Sequence, residues 1–138
     1  MDEINHTEYG SEEKRPYILW IEDDNFLGTL ITKKLEAEGY RVEYVKSGEK
    51  AWQEVRKEKP DLILADILLP GMDGFEFLSR VKEDDNLKNI PVLLFSNLNQ
   101  EKDVNRGLSL GAESFLVKSN VVPAQIIEEI NKLMNERG

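Results

Sequence analysis

From Pro16 onward, the chain alternates short apolar runs with longer stretches whose apolar residues recur at helical spacing. Tyr17–Ile21 (YILWI) is continuous and apolar, and stops abruptly at Glu22-Asp23-Asp24. From Asn25 to Glu38, Leu27, Leu30, Ile31 and Leu35 fall on one helical face, with Gly39 as the stop. Tyr40–Val45 alternates Tyr40, Val42 and Tyr44 with Arg41 and Glu43, the pattern of a strand exposed on one side. Ser47 is placed to cap a helix carrying Ala51, Trp52 and Val55, which Pro60 ends. Asp61–Leu69 (DLILADILL) is a second buried run, interrupted by Asp66, and the turn Pro70-Gly71-Met72-Asp73-Gly74 follows it. Asp73 is placed to cap a helix with Phe75, Leu78 and Val81. Val92–Phe95 is a third buried run, ending in Ser96-Asn97. A weaker helical pattern covers 100–110, and Phe115–Val117 is a short strand ending at Lys118. The last helix carries Ile126, Ile127, Ile130, Leu133 and Met134 on one stripe.

Five strand–helix units in succession predict an α/β fold, with a doubly wound, mostly parallel sheet covered on both faces. Runs 17–21, 62–69 and 92–95 suit central strands, and the alternating run 40–45 suits an edge. The 138 residues suit one domain. Residues 1–15 show no apolar period and carry five acids, two bases and the chain's single histidine, His6, so they read as a disordered acidic tail before a domain at 16–138. With no cysteine, thiolate catalysis, disulfides and Cys-ligated metals are excluded. The net charge of −9 argues against a nucleic-acid-binding surface. No apolar run is long enough for a membrane span and no signal-peptide pattern is present, so a cytoplasmic location is expected.

In an open parallel α/β sheet, ligands bind beyond the carboxyl ends of the strands. Polar residues fall at those positions here: Glu22, Asp23 and Asp24 after the first strand, Asp66 in the third, Ser96 after the fourth and Lys118 after the fifth. Each has a structural explanation when taken singly, and Asp24 suits a helix cap. It is the set that carries the signal. Clustered carboxylates repel unless a cation joins them, and hard oxygen donors without sulfur favour Mg²⁺. A lysine and a hydroxyl beside such a cation make a phosphoryl-group environment, in which a carboxylate can act as nucleophile. Asp66, inside the most apolar run, is the best candidate.

Four motifs in this order, ILWIEDD (18–24), DLILADILLPGMDGFEFL (61–78), IPVLLFSN (90–97) and GAESFLVKS (111–119), resemble the receiver domains of two-component response regulators. The resemblance implies a (βα)5 flavodoxin-like sheet of order 2-1-3-4-5. It implies that Asp66 accepts a phosphoryl group, and that Glu22 and Asp23, with Asp66 and the backbone carbonyl of Leu68, hold Mg²⁺. Ser96 and Lys118 would contact the phosphoryl group, and Ser96 and Phe115 would form the switch. The phosphodonor would be a sensor histidine kinase or a histidine phosphotransfer protein. The output would be altered binding to a downstream protein, with no direct contact to nucleic acid or membrane. The chain would be an acceptor with slow autodephosphorylation rather than a turnover enzyme, and the domain reads as stand-alone. It departs from the family at Ser119, where proline after a cis bond is usual, at the polar Asn97, at Phe115 in place of the commoner tyrosine, and at the large Trp20. Leu68 and Leu98, two positions after Asp66 and Ser96, are expected to flank hydrolytic water without orienting it. The alternatives are a receiver-fold interaction module that works without phosphorylation, a flavin binder and an aspartate-dependent phosphohydrolase. A flavin phosphate would be repelled by Glu22-Asp23-Asp24, and a phosphohydrolase would need a carboxylate where Leu68 stands.

Overall fold

A computed structural model describes residues 15–137. The expected tail lies outside the described residues apart from Arg15, as does His6. Five strands alternate with five helices: β1 (Tyr17–Ile21), α1 (Asn25–Ala37), β2 (Arg41–Val45), α2 (Gly48–Lys57), β3 (Leu62–Ala65), α3 (Gly74–Glu83), β4 (Val92–Ser96), α4 (Glu101–Ser109), β5 (Ser114–Val117) and α5 (Pro123–Arg137). A short 3₁₀ turn over Lys118–Asn120 separates β5 from α5. All strand pairs are parallel, in the order β2-β1-β3-β4-β5.

Alternation along each strand divides the core between the two faces of the sheet, because successive side chains point to opposite sides. Leu19, Ile21, Ile63, Ala65, Val92 and Leu94 pack with Val55 of α2 and Leu78 and Val81 of α3. Ile18, Trp20, Leu62, Leu64, Leu93 and Phe95 pack with Ile31 and Leu35 of α1 and Ile126 and Ile130 of α5. The three central runs are therefore apolar on both faces, as expected. β2 lies at one edge and is only part-buried.

The helix starts follow the expected caps. Asp24 accepts from the Phe26 N–H, Ser47 from the Lys50 N–H and Asp73 from the Glu76 N–H. Gly39, beyond α1, has φ +98°, the left-handed conformation that suits a helix stop. Trp20 is fully buried, and its indole Nε1–H donates to the Gly28 carbonyl of α1 at 3.1 Å.

One boundary differs clearly from the sequence reading. The run 62–69 is not one strand: β3 begins at Leu62 as expected but ends at Ala65. Ile67 and Leu69 remain buried, but in a loop whose Leu69 N–H bonds to the Ile67 carbonyl at 2.9 Å. Apolar content alone cannot separate a buried loop from a strand. At the start of the run, the Asp61 carboxylate accepts from the Tyr17 N–H at 2.8 Å and so closes the start of β1.

Gly74 brings α3 against the loop that carries Asp66. Its N–H bonds to the Ile67 carbonyl at 2.9 Å, and a Cβ there would lie 2.6 Å from Ile67 Cα and overlap the Asp66 carbonyl. The obstacle is backbone, which cannot rotate away. Gly74→Ala is expected to destabilise the fold by about 2 kcal/mol, the usual scale of overpacking. Urea unfolding followed by circular dichroism checks this, and an unchanged midpoint would contradict it.

Candidate functional site

Parallel pairing places the carboxyl ends of all five strands on one edge of the sheet. Ile21 pairs with Val45 and with Ala65, so the next residues, Glu22 and Asp66, emerge side by side. Each is fixed through its backbone: the Glu22 N–H bonds to the Val45 carbonyl and the Asp66 N–H to the Ile21 carbonyl, both at 3.0 Å. Glu22 is 1% exposed and Asp66 3%.

Lys118 begins beyond β5, at the far edge of the sheet. Its Nζ donates to Glu22 Oε1 at 2.7 Å and to Asp66 Oδ2 at 2.9 Å. On the way the ammonium lies 5.5 Å from the centre of the Phe95 ring, within cation–π range. The remaining carboxylate oxygens find backbone donors. The Asp24 N–H bonds to Glu22 Oε2 at 3.1 Å and the Leu68 N–H to Asp66 Oδ1 at 3.2 Å. Asp23 is exposed and completes a cluster with Glu22 and Asp66, in which each residue brings one carboxylate oxygen within 4.8 Å of the others.

Lys118 thus pairs with two of the three clustered carboxylates, Glu22 and Asp66. The donor set is all hard oxygen, two groups buried and one open to solvent. This suits a small divalent cation that keeps part of its water shell. Burial pushes the Glu22 carboxyl above its ordinary value and the Asp66 charge adds to that, while the Lys118 and Asp24 hydrogen bonds oppose it. Burial works against the Lys118 ammonium, but its bonds to Glu22 and Asp66 outweigh this and raise its pKa.

The other expected residues are placed as follows. Ser96 closes β4 and is fully buried, with its Oγ accepting from the Leu98 N–H at 3.4 Å. Phe115 pairs with Leu94 in the sheet and packs, half-buried, on the α2–α4 side beside Gly107. Leu68 is 51% exposed at the rim. Leu98 instead packs against the core of the α2–α4 side, so of the two leucines expected at the water path only Leu68 stands open. Among the described residues no peptide bond is cis, so the Lys118–Ser119 bond, with serine where proline is usual, is trans. Sequence reasoning passed over Tyr44, whose hydroxyl donates to the Glu22 carbonyl at 2.8 Å.

Residues 18–131 match the family model of the response regulator receiver domain. The chain belongs to that family. Over 123 residues it is 40% identical to the transcriptional regulatory protein AfsQ1 of Streptomyces coelicolor, covering 89% of this chain but 52% of that protein. It is 36% identical to the two-component response regulator ORR3 of rice, covering 88% of this chain and 93% of that one. The chain thus spans about half the length of the first relative and nearly all of the second. Among solved structures, the signal receiver domain of a signal transduction histidine kinase from Syntrophus aciditrophicus superposes with a TM-score of 0.80 at 31% identity, covering 88% of this chain and 91% of that one. The BeF3-activated N-terminal receiver domain of RstA from Klebsiella pneumoniae gives 0.78 at 29%, covering 86% and 97%. The receiver sheet order is the one found here, and the acidic cluster lies where that order brings the ends of β1 and β3 together. Among the described residues, no helix is long and apolar enough to cross a membrane.

A carboxyl whose pKa rises on folding holds its proton more tightly in the folded chain than in the unfolded one. Its contribution to stability is present below the unfolded value of 4.5 and is lost as pH rises through the folded value. In metal-free buffer at neutral pH, Glu22→Gln is therefore expected to unfold at a higher temperature than the parent receiver. Well below pH 4.5 the two should converge. Thermal melts across pH in the presence of chelator test this, and a lower melting temperature for the variant at neutral pH would contradict it.

Proposed function

We propose that this receiver accepts a phosphoryl group on Asp66 from a phosphohistidine of a sensor histidine kinase or a histidine phosphotransfer protein. The observation that carries this reading is the bridging of buried Asp66 and Glu22 by Lys118, with Asp23 at hand. A carboxylate oxygen of Asp66 attacks phosphorus, the P–N bond breaks, and the imidazole leaves with its electron pair and takes a proton. Lys118 Nζ, already 2.9 Å from Asp66 Oδ2, is placed to hold a phosphoryl oxygen. The Ser96 hydroxyl, at the end of the neighbouring strand, supplies a further donor. Glu22, Asp23, Asp66 and the Leu68 carbonyl would hold Mg²⁺, which when bound offsets the repulsion of the carboxylates and neutralises phosphoryl oxygens. The receiver itself is an acceptor, with slow autodephosphorylation rather than turnover.

The way α4 is held supports the switch reading. Gly107 is its one buried residue, set over Leu94 and Phe115. A helix with so little buried contact has low local stability and is easily shifted. Engagement of Ser96 by the phosphoryl group, with a turn of Phe115, would bias a pre-existing equilibrium and alter the surface that α4 and α5 offer to a downstream protein.

Incubation with acetyl phosphate and Mg²⁺ is expected to add one hydroxylamine-labile phosphoryl group, read by intact mass. The adduct should be absent in Asp66→Asn and in excess chelator. Labelling of Asp66→Asn at the parental level would overturn the assignment. The exposed, apolar Leu68 does not orient water, so Leu68→Asn is expected to shorten the lifetime of the adduct severalfold. An unchanged decay rate in a chase experiment would count against that role.

A further inference from the structure

The turn that presents Glu22 and Asp23 faces an electrostatic difficulty. Its carboxylates lie close to Asp66. Lys118 bonds to Glu22 and Asp66, but one ammonium offsets only part of the repulsion among three carboxylates, which favours a looser turn. Contacts to the backbone of the turn oppose that loosening. The Glu22 N–H continues the sheet by bonding to Val45, but no backbone N–H among the described residues bonds to the Glu22 carbonyl. That carbonyl accepts from the hydroxyl of Tyr44 at 2.8 Å. The same hydroxyl lies 3.3 Å from the carbonyl of Asp24, which also accepts the first helical bond of α1, from the Gly28 N–H at 2.8 Å. One phenol thus ties the end of β1 to the start of α1 across the acidic turn.

The surroundings of Tyr44 fit this role. It stands opposite Trp20 in the β1–β2 register, and the two rings are tilted with centroids 6.3 Å apart. Its ring tip lies against the backbone of α1 at Gly28, where any Cβ would overlap the phenol carbon and oxygen. Glycine is therefore the residue that lets the hydroxyl reach the turn. The Gly28 carbonyl is itself held by the Trp20 indole at 3.1 Å and by the Thr32 hydroxyl at 2.7 Å, so the surface under the phenol is fixed on two sides.

We propose that Tyr44 is a positioning residue for divalent-cation binding: its hydroxyl preorganises the Glu22–Asp24 turn so that Glu22 and Asp23 meet the ion without first being ordered. The proposal rests on the reading of Glu22, Asp23 and Asp66 as the cation site. Ordering a turn at the moment of binding weakens binding by the cost of that ordering, and a group that orders it in advance removes the cost.

The test is isothermal titration of the receiver with Mg²⁺ alone, at a temperature where circular dichroism shows each variant to be folded. Tyr44→Phe keeps the ring and its packing and deletes only the hydroxyl. Its dissociation constant for Mg²⁺ is expected to rise about fivefold, the equilibrium equivalent of one lost hydrogen bond. Thr32→Val deletes a comparable bond on the same Gly28 carbonyl without touching the turn, and should bind Mg²⁺ as the parent does. Parental affinity in Tyr44→Phe, or an equal loss in Thr32→Val, would overturn the assignment while leaving the cation site standing. Failure of the parent itself to bind Mg²⁺ would remove both the cation site and the role of Tyr44.

Discussion

The arrangement around which this receiver is built is one ammonium between two buried carboxylates. Glu22 and Asp66 are almost fully out of water, and ionised groups there are costly unless paired and hydrogen-bonded. Lys118 bonds to both. Neither partner is local: Lys118 is 96 residues from Glu22 and 52 from Asp66 in sequence. The pairing holds only if β1, β3 and β5 end at one level, and parallel strands in this order satisfy that condition. Asp23 adds a third carboxylate to the same cluster.

The packing serves this alignment from both faces. On one side, Gly74 lets α3 approach the Asp66 loop until a methyl group would strike backbone. On the other, Gly28 gives the Tyr44 ring its place over α1, beneath the acidic turn. The turns around the site are therefore set by close backbone approach and by hydrogen bonds to carbonyls. α4 contrasts with this, since Gly107 is its one buried residue. The molecule joins a firmly held site to a lightly held helix, and the two meet through β4 and β5, where Ser96 pairs with Val117 and Leu94 with Phe115.

Much of this was legible along the chain, for physical reasons. Strands buried on both faces read as continuous apolar runs, and the edge strand β2 reads as alternation. The caps Asp24, Ser47 and Asp73 are short side chains that bond to nearby N–H groups, so their signal is local. The site residues could be placed because each follows directly on an apolar run and the strand ends share one edge. The end of β3 at Ala65 was not legible, because Ile67 and Leu69 are as buried in their loop as a strand would make them. Nor was the inward packing of Leu98, which depends on the backbone direction after Ser96. Tyr44 was read only as an alternating strand residue. Its link to Glu22 exists only once β2 lies beside β1 and Gly28 lies above them.

The central claim is that Lys118 neutralises Asp66 in the resting receiver and follows the phosphoryl group when one is present. A crystal structure grown with Mg²⁺ and beryllofluoride tests it most directly. The account predicts beryllium bound to an Asp66 oxygen, a cation among Glu22, Asp23 and Asp66, and Lys118 Nζ bonded to fluoride with its Glu22 contact released. An Asp66 without adduct, with Lys118 still bridging the two carboxylates at saturating beryllofluoride, would contradict it.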